Sequence, residues 1–108
     1  MEKSENGIEP PRSAIDALDT PVVVEFGTFW CPHCLAAQPH ITLALARHPS
    51  LSHIKVEDGK GRPLGRSFRV KLWPTLIFMQ RGKEVERLVR PTDAESIARA
   101  CALIDLPS

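Results

Sequence analysis

Nothing in these 108 residues stays apolar for long: runs such as Val22–Val24 and Leu76–Met79 stop after three and four residues, far short of the roughly 18 to 20 that a helical membrane span needs. The opening stretch, MEKSENGIEPPRS, carries acids early and no apolar segment after its lysine, so the pattern of a secretory leader is missing. A cytoplasmic protein is expected, or a periplasmic one if a leader has been removed. Net charge is nearly absent as well. Fourteen Lys and Arg against 13 Asp and Glu leave +1, which removes any whole-chain attraction to nucleic acid or to a membrane surface. Cysteine is scarce, and three of them cannot form a fully paired disulfide framework within one chain. No second CxxC exists, so a zinc site would have to draw on the scattered His33, His40, His48, His53 and Cys101.

What remains is an ordinary globular composition, 43% hydrophobic and 25% charged, in a chain long enough for one core and too short for two. Residues 1–12 are polar and proline-bearing and read as a loose lead-in able to add a short edge strand; residues 13–108 read as one domain. Charge is unevenly spread. Between Gly59 and Pro91 nine basic residues face only Glu84 and Glu86, whereas residues 1–31 are acidic, a pattern of solvated faces of opposite sign, with a basic partner-binding surface as the alternative.

Ser13–Leu18 places Ile15 and Leu18 on one side of a short helix, and Asp19-Thr20-Pro21 ends it. Val22–Phe26 is a continuous β-branched run expected of a central strand covered on both faces, interrupted in its logic by Glu25. Pro32 to about His48 reads as a helix with Leu35, Ile41, Leu45 and the alanines inward. Ser52–Glu57 alternates as a second strand, a short helix starts at Pro63, and Thr75–Met79 is an apolar strand. Arg81-Gly82 turns it into an antiparallel return over Glu84–Val89. Thr92 with Glu95 is a capping box for a last helix burying Ile97, Ala98, Cys101 and Ile104. The fold class is therefore α/β: a mixed sheet, parallel at its start and closing with an antiparallel hairpin, with helices on both faces.

The chemistry concentrates at Trp30-Cys31-Pro32-His33-Cys34. Pro32 suits the first position of a helix, which makes Cys31 the N-cap. A sulfur there meets free backbone N–H groups and the positive end of the helix dipole, which favour thiolate over thiol. Cys31 is expected to be the exposed nucleophile. Cys34, three residues on, shares its face and is expected to be the more buried resolving thiol, able to close a Cys31–Cys34 disulfide. His33 between them is positioned to stabilise the Cys31 thiolate. A CxxC beside a βαβ pattern is a redox signature; half of a metal site and a pair of incidental thiols are the alternatives.

The segment VVVEFGTFWCPHC, Pro39 five residues after the second cysteine, and Trp73-Pro74-Thr75 opening a later strand together resemble the thioredoxin family over about residues 13–106. The resemblance implies a thioredoxin fold and a protein-disulfide oxidoreductase working through a mixed disulfide, with no cofactor beyond the redox-active Cys31–Cys34 pair and no metal. It implies that Pro39 is the family's helix-kinking proline and that Pro74 is its cis-proline, facing the dithiol. It also implies that Glu25 stands where the family buries an acid that shuttles a proton for Cys34, with Lys55 where a lysine pairs with that acid. The residue-level alternative for Glu25 is a solvated strand end. Trp30 and Trp73 flank the dithiol and its facing proline, either as an apolar rim for substrate or as packing.

Three departures stand out. Pro32-His33 is the dipeptide of DsbA-type oxidases, although the chain has no room for their helical insertion; Gly27 replaces a family tryptophan; and Arg90 occupies the place of a glycine beside the substrate groove, where it would narrow the groove or favour acidic substrates. The expected partners are protein disulfides or dithiols and a reductase-like or oxidase-like redox protein, with the chain a monomer. The other readings are a peptide-binding module without turnover, and metal or iron–sulfur binding through the CxxC. Cys101 is expected to be a buried structural thiol, and His40, His48 and His53 to lie in solvent or at caps.

Overall fold

The computed structural model describes residues 9–105. The first eight residues of the expected lead-in, including any edge strand there, and the last three of the expected domain lie outside them. Eight elements follow in the expected order: α1 (Arg12–Asp16), β1 (Val22–Gly27), α2 (Pro32–Ala46), β2 (Ser52–Glu57), α3 (Pro63–Ser67), β3 (Thr75–Gln80), β4 (Lys83–Val89) and α4 (Ala94–Ile104). The sheet order is β2-β1-β3-β4. β1 runs parallel to β2, as a strand–helix–strand crossover requires, and antiparallel to β3, which pairs antiparallel with β4.

Every residue of β1 is buried, because the strand is central in the sheet and covered on both faces. Alternation along it sorts the core into two layers. Val23 packs with Ala37, Ile41 and Ala44 of α2, Leu76 and Phe78 of β3, and Ile97, Cys101 and Ile104 of α4. Val22, Val24 and Phe26 face the other way, toward Ile15, Leu64, Phe68, Ile77 and Met79. Glu25 has the parity of Val23, so the pleat aims it at α2.

Two expectations are corrected. Leu35 is exposed, because the buried residues of α2 are Cys34, Ala37, Ile41 and Ala44; Leu35 follows Cys34 and is turned about 100° away from that stripe. The cap of α4 is Asp93 rather than Thr92: its carboxylate accepts the Ser96 N–H at 2.6 Å, the bond an N-cap side chain makes to the third residue of its helix. In the β3–β4 turn, Arg81 and Gly82 both have positive φ, 52° and 77°, which matches the twist of a two-residue hairpin. Gly82 has a second constraint, since a Cβ there would run into the Asp16 carbonyl oxygen.

Candidate active site

The end of β1 delivers Thr28 to Trp30 and then Cys31, which caps α2 in extended conformation with Pro32 at the first turn. The Cys34 N–H donates to Cys31 Sγ at 3.4 Å, so the sulfur takes the place of a capping oxygen at the helix's positive end. From the far side Cys31 Sγ lies 3.9 Å from the Trp73 carbonyl oxygen, and the Trp73–Pro74 peptide bond is cis. CxxC and cis-proline, 40 residues apart in sequence, thus meet at the sulfur. All three cysteines are free thiols.

Cys31 was expected to be exposed, and it is not. It is 4% exposed and Cys34 2%, because the Trp73 loop folds over the helix end. What separates the sulfurs is their partners. Burial pushes the Cys34 thiol up from 9.0 to about 12, with a hydrogen bond from the Thr28 backbone opposing it and the neighbouring Cys31 and Glu25 adding to it. The proton on Cys34 is therefore firmly held. His33 is exposed, and among the described residues no hydrogen bond joins it to either sulfur; it lines a groove instead.

That groove, about 390 Å³, runs between α2 and the segment after β4, lined by His33, Ala36, Ala37, His40, Arg90, Pro91 and Thr92. Arg90 is fixed here by two bonds. Its backbone N–H donates to the Pro74 carbonyl at 2.9 Å, and its Nε donates to the Trp73 carbonyl at 2.8 Å, the same oxygen that faces Cys31. Arg90 holds φ at 52°, a left-handed conformation that a glycine adopts without strain. Trp30, 60% exposed, meets Trp73 edge-on with ring centroids 5.8 Å apart. Trp73 is anchored by its indole N–H, which donates to Asp58 Oδ2 at 2.8 Å. The Asp58 carboxylate in turn lies against Gly65, where a Cβ would collide with it.

Behind Cys34, Glu25 is wholly buried, which rules out the solvated strand end. Its Oε2 accepts from Gln38 Nε2 at 2.8 Å, and its Oε1 is 2.7 Å from His53 Nε2. Gln38 Nε2 also reaches the Cys34 carbonyl at 3.3 Å, linking the acid to the resolving cysteine's own turn. Burial acts to raise the Glu25 carboxyl, but the His53 and Gln38 bonds, helped by the charges of His53 and Lys55, hold it below the usual carboxylate value. Lys55 does not bond Glu25, although it stands opposite it in register; its Nζ donates to Gln38 Oε1 at 3.3 Å. The place at the acid expected of Lys55 is taken by His53, which corrects the expectation of His53 in solvent or at a cap. His48 does sit at a helix end, with Nδ1 2.7 Å from Oδ2 of Asp105, the C-cap of α4. Cys101 is fully buried in the α2–α4 layer and raised to about 11 by burial. Among the described residues no group of three or more His, Cys, Asp or Glu side chains is arranged to hold a metal, and no helix is long and apolar enough to cross a membrane.

Gln38, His53 and Thr28 are the participants that the sequence reading missed. Only His53 left a trace there: it and Lys55 alternate with the apolar Ile54 and Val56 on β2, so the pleat turns both toward the face of Glu25.

A family model described as Thioredoxin matches residues 11–102. Among solved structures, thioredoxin 2 from Pseudomonas aeruginosa PAO1 in its reduced form superposes with a TM-score of 0.81, at 49% identity over 90% of both chains. A thioredoxin from Chlamydia trachomatis is 34% identical over 79 residues, 72% of this chain and 76% of that one. A protein disulfide-isomerase from Zea mays is 32% identical over 83 residues, which span 70% of this chain but only 16% of that protein.

Proposed function

The chain belongs to the thioredoxin family, and from that premise we propose that it is a thiol:disulfide oxidoreductase acting on protein disulfides, with Cys31 and Cys34 as its own and sufficient redox centre. The observation that carries this reading is the capping of α2 by Cys31 Sγ with Cys34 one turn inside the same helix. Cys31 thiolate attacks a substrate disulfide, one substrate sulfur leaves as thiolate, and a mixed disulfide remains on Cys31. Cys34 then gives up its proton and attacks Cys31 Sγ; the bond from Cys31 to substrate breaks, and the substrate leaves with both electrons as a dithiol. The oxidative direction runs these steps in reverse.

Glu25 is the base that receives the Cys34 proton in this scheme. Its burial, its ionised state and its link through Gln38 to the Cys34 turn support that role, with Lys55 steadying Gln38. On the outer side, Trp30, Trp73 and Pro74 receive an extended substrate segment. Arg90 already occupies one lone pair of the Trp73 carbonyl, so a segment that pairs there shares or displaces its guanidinium. An acidic side chain on the segment offsets that loss, which favours acidic substrates. His33 and His40 along the groove act in the same sense when protonated. A reductase-like or oxidase-like protein recharges the monomeric chain, in the cytoplasm unless a leader directs it elsewhere.

Trapping tests the reading. With Cys34→Ser, a peptide disulfide leaves one covalent equivalent on Cys31, visible by mass; a protein that binds the peptide and forms no adduct is a docking module and not an enzyme. The reduction potential in glutathione buffers sets the direction: near about −270 mV the protein is a reductant, near about −120 mV a strong oxidant.

A further inference from the structure

Glu25 has no exposed surface, so the direct way out for a proton that reaches it is along a hydrogen bond. Among the described residues it has two such partners. Gln38 presents Nε2, an amide nitrogen that donates and cannot take up a proton. His53 presents Nε2 of an imidazole, which can. The His53 side chain is 23% exposed and lines an open cavity of about 390 Å³ together with Gln38, Ile41, Thr42, Leu45, Ala46 and Lys55. One end of the ring touches the buried acid and its edge reaches solvent.

We propose that His53 is the proton exit of the site, a positioning residue that holds Glu25 as a carboxylate and passes to water the proton that Cys34 releases when it resolves the mixed disulfide. The inference rests on the exchange reading above. In the resting state the ring donates from Nε2 to Glu25 Oε1. When Glu25 takes the Cys34 proton the ring passes from its Nε2–H to its Nδ1–H tautomer by exchange with water, which frees Nε2 to accept; the acid then donates to Nε2 and the ring sheds the Nδ1 proton to water, so that the carboxylate and the Nε2–H are both restored and one proton has reached solvent. No electrons move in this relay, so it adds nothing to the redox balance of the exchange. The charged or titratable groups facing it are Cys34 of α2, Glu25 of β1 and Lys55 of β2, with the neutral Gln38 between them; β3 contributes only Leu76 opposite Glu25.

Single-turnover reaction of the reduced protein with a chromogenic aryl disulfide separates the steps. Attack by Cys31 releases the first aryl thiolate, and resolution by Cys34 releases the second. His53→Gln keeps a donor for Glu25 but no proton acceptor, and His53→Val removes both. We expect the first phase to be unchanged in both variants, which also shows that they are folded. The second phase should slow by about tenfold or more in His53→Gln, within the range of a lost acid–base group, and the pH profile of its rate should differ from the wild-type's. A second phase that keeps the wild-type rate and pH profile in His53→Gln overturns the proposal, leaving His53 as a structural partner of Glu25. Absence of both phases in the wild-type overturns the exchange reading and this inference with it.

Discussion

The two sulfurs lie one helical turn apart and are about equally buried, yet their surroundings differ in kind. Around Cys31 the partners are backbone groups, the Cys34 N–H of its own helix and the carbonyl of the distant Trp73, to which Arg90 also donates, and the Trp73 ring meets that of Trp30 edge-on. Behind Cys34 stand hydrogen-bonded polar side chains of the adjacent elements: Glu25, Gln38, His53 and Lys55. On the proposed reading the outer region is opened by another chain and the inner region handles a proton without opening. One motif thus serves two tasks because the helix end divides it.

Exchanging the two thiols in turn breaks this contrast most sharply. Cys31→Ser should reduce disulfide exchange to the uncatalysed level, since no buried Cys34 held near 12 can replace it as nucleophile; Cys34→Ser should still form the adduct and stop there. Ellman-type release and intact mass check both. Next in size, Glu25→Gln should slow resolution by about a hundredfold while sparing the first attack, read in the same two-phase assay.

The inner region should also show itself in stability against pH, at both ends of the scale. Glu25 is depressed in the folded state, so its contribution is present above the ordinary value of 4.5 and is lost as pH falls through the folded value. Cys34 is raised from 9.0 to about 12, so stability is full below 9 and declines as pH rises toward 12, with Cys101 adding in the same sense below about 11. Urea denaturation across pH should show the acid slope reduced in Glu25→Gln and the alkaline slope reduced in Cys34→Ser.

The outer region should yield smaller effects on stability and clearer ones on choice of substrate. Arg90→Gly loses one side-chain bond and relieves a left-handed backbone, so its stability should stay within about 1 kcal/mol of wild-type. The ratio of kcat/KM for a peptide with an acid beside its cysteine to that for a neutral one should fall several-fold. Smallest of all, Trp30→Ala should raise KM a few-fold with no change in melting temperature, because the ring is mostly in solvent.

Much of this was legible in the residues. The continuous Val22–Phe26 run, the proline after Cys31 and the hairpin turn at Arg81-Gly82 set the element order, because each acts through local geometry. The parity of β1 also places Glu25 on the α2 face. Two things were not legible. The cover over Cys31 comes from residue 73 and depends on how a distant loop closes. The partner of Glu25 lies diagonally across two parallel strands: Lys55 is opposite in register, but His53, opposite Val23, has the reach and direction to meet the carboxylate, and which of two neighbours on one strand face makes the bond depends on side-chain length and the space under α2.

Cys31 and the carbonyl that covers it are 42 residues apart, and this separation has a consequence during synthesis. Cys31 and Cys34 emerge from the ribosome well before Trp73 does, and in that interval nothing from β3 shields either thiol. The cap that Cys31 makes on α2 needs only residues already synthesised; the cover over it is added when β3 docks beside β1 and brings the Trp73 loop over the helix end. Until then the pair is open to any oxidant it meets.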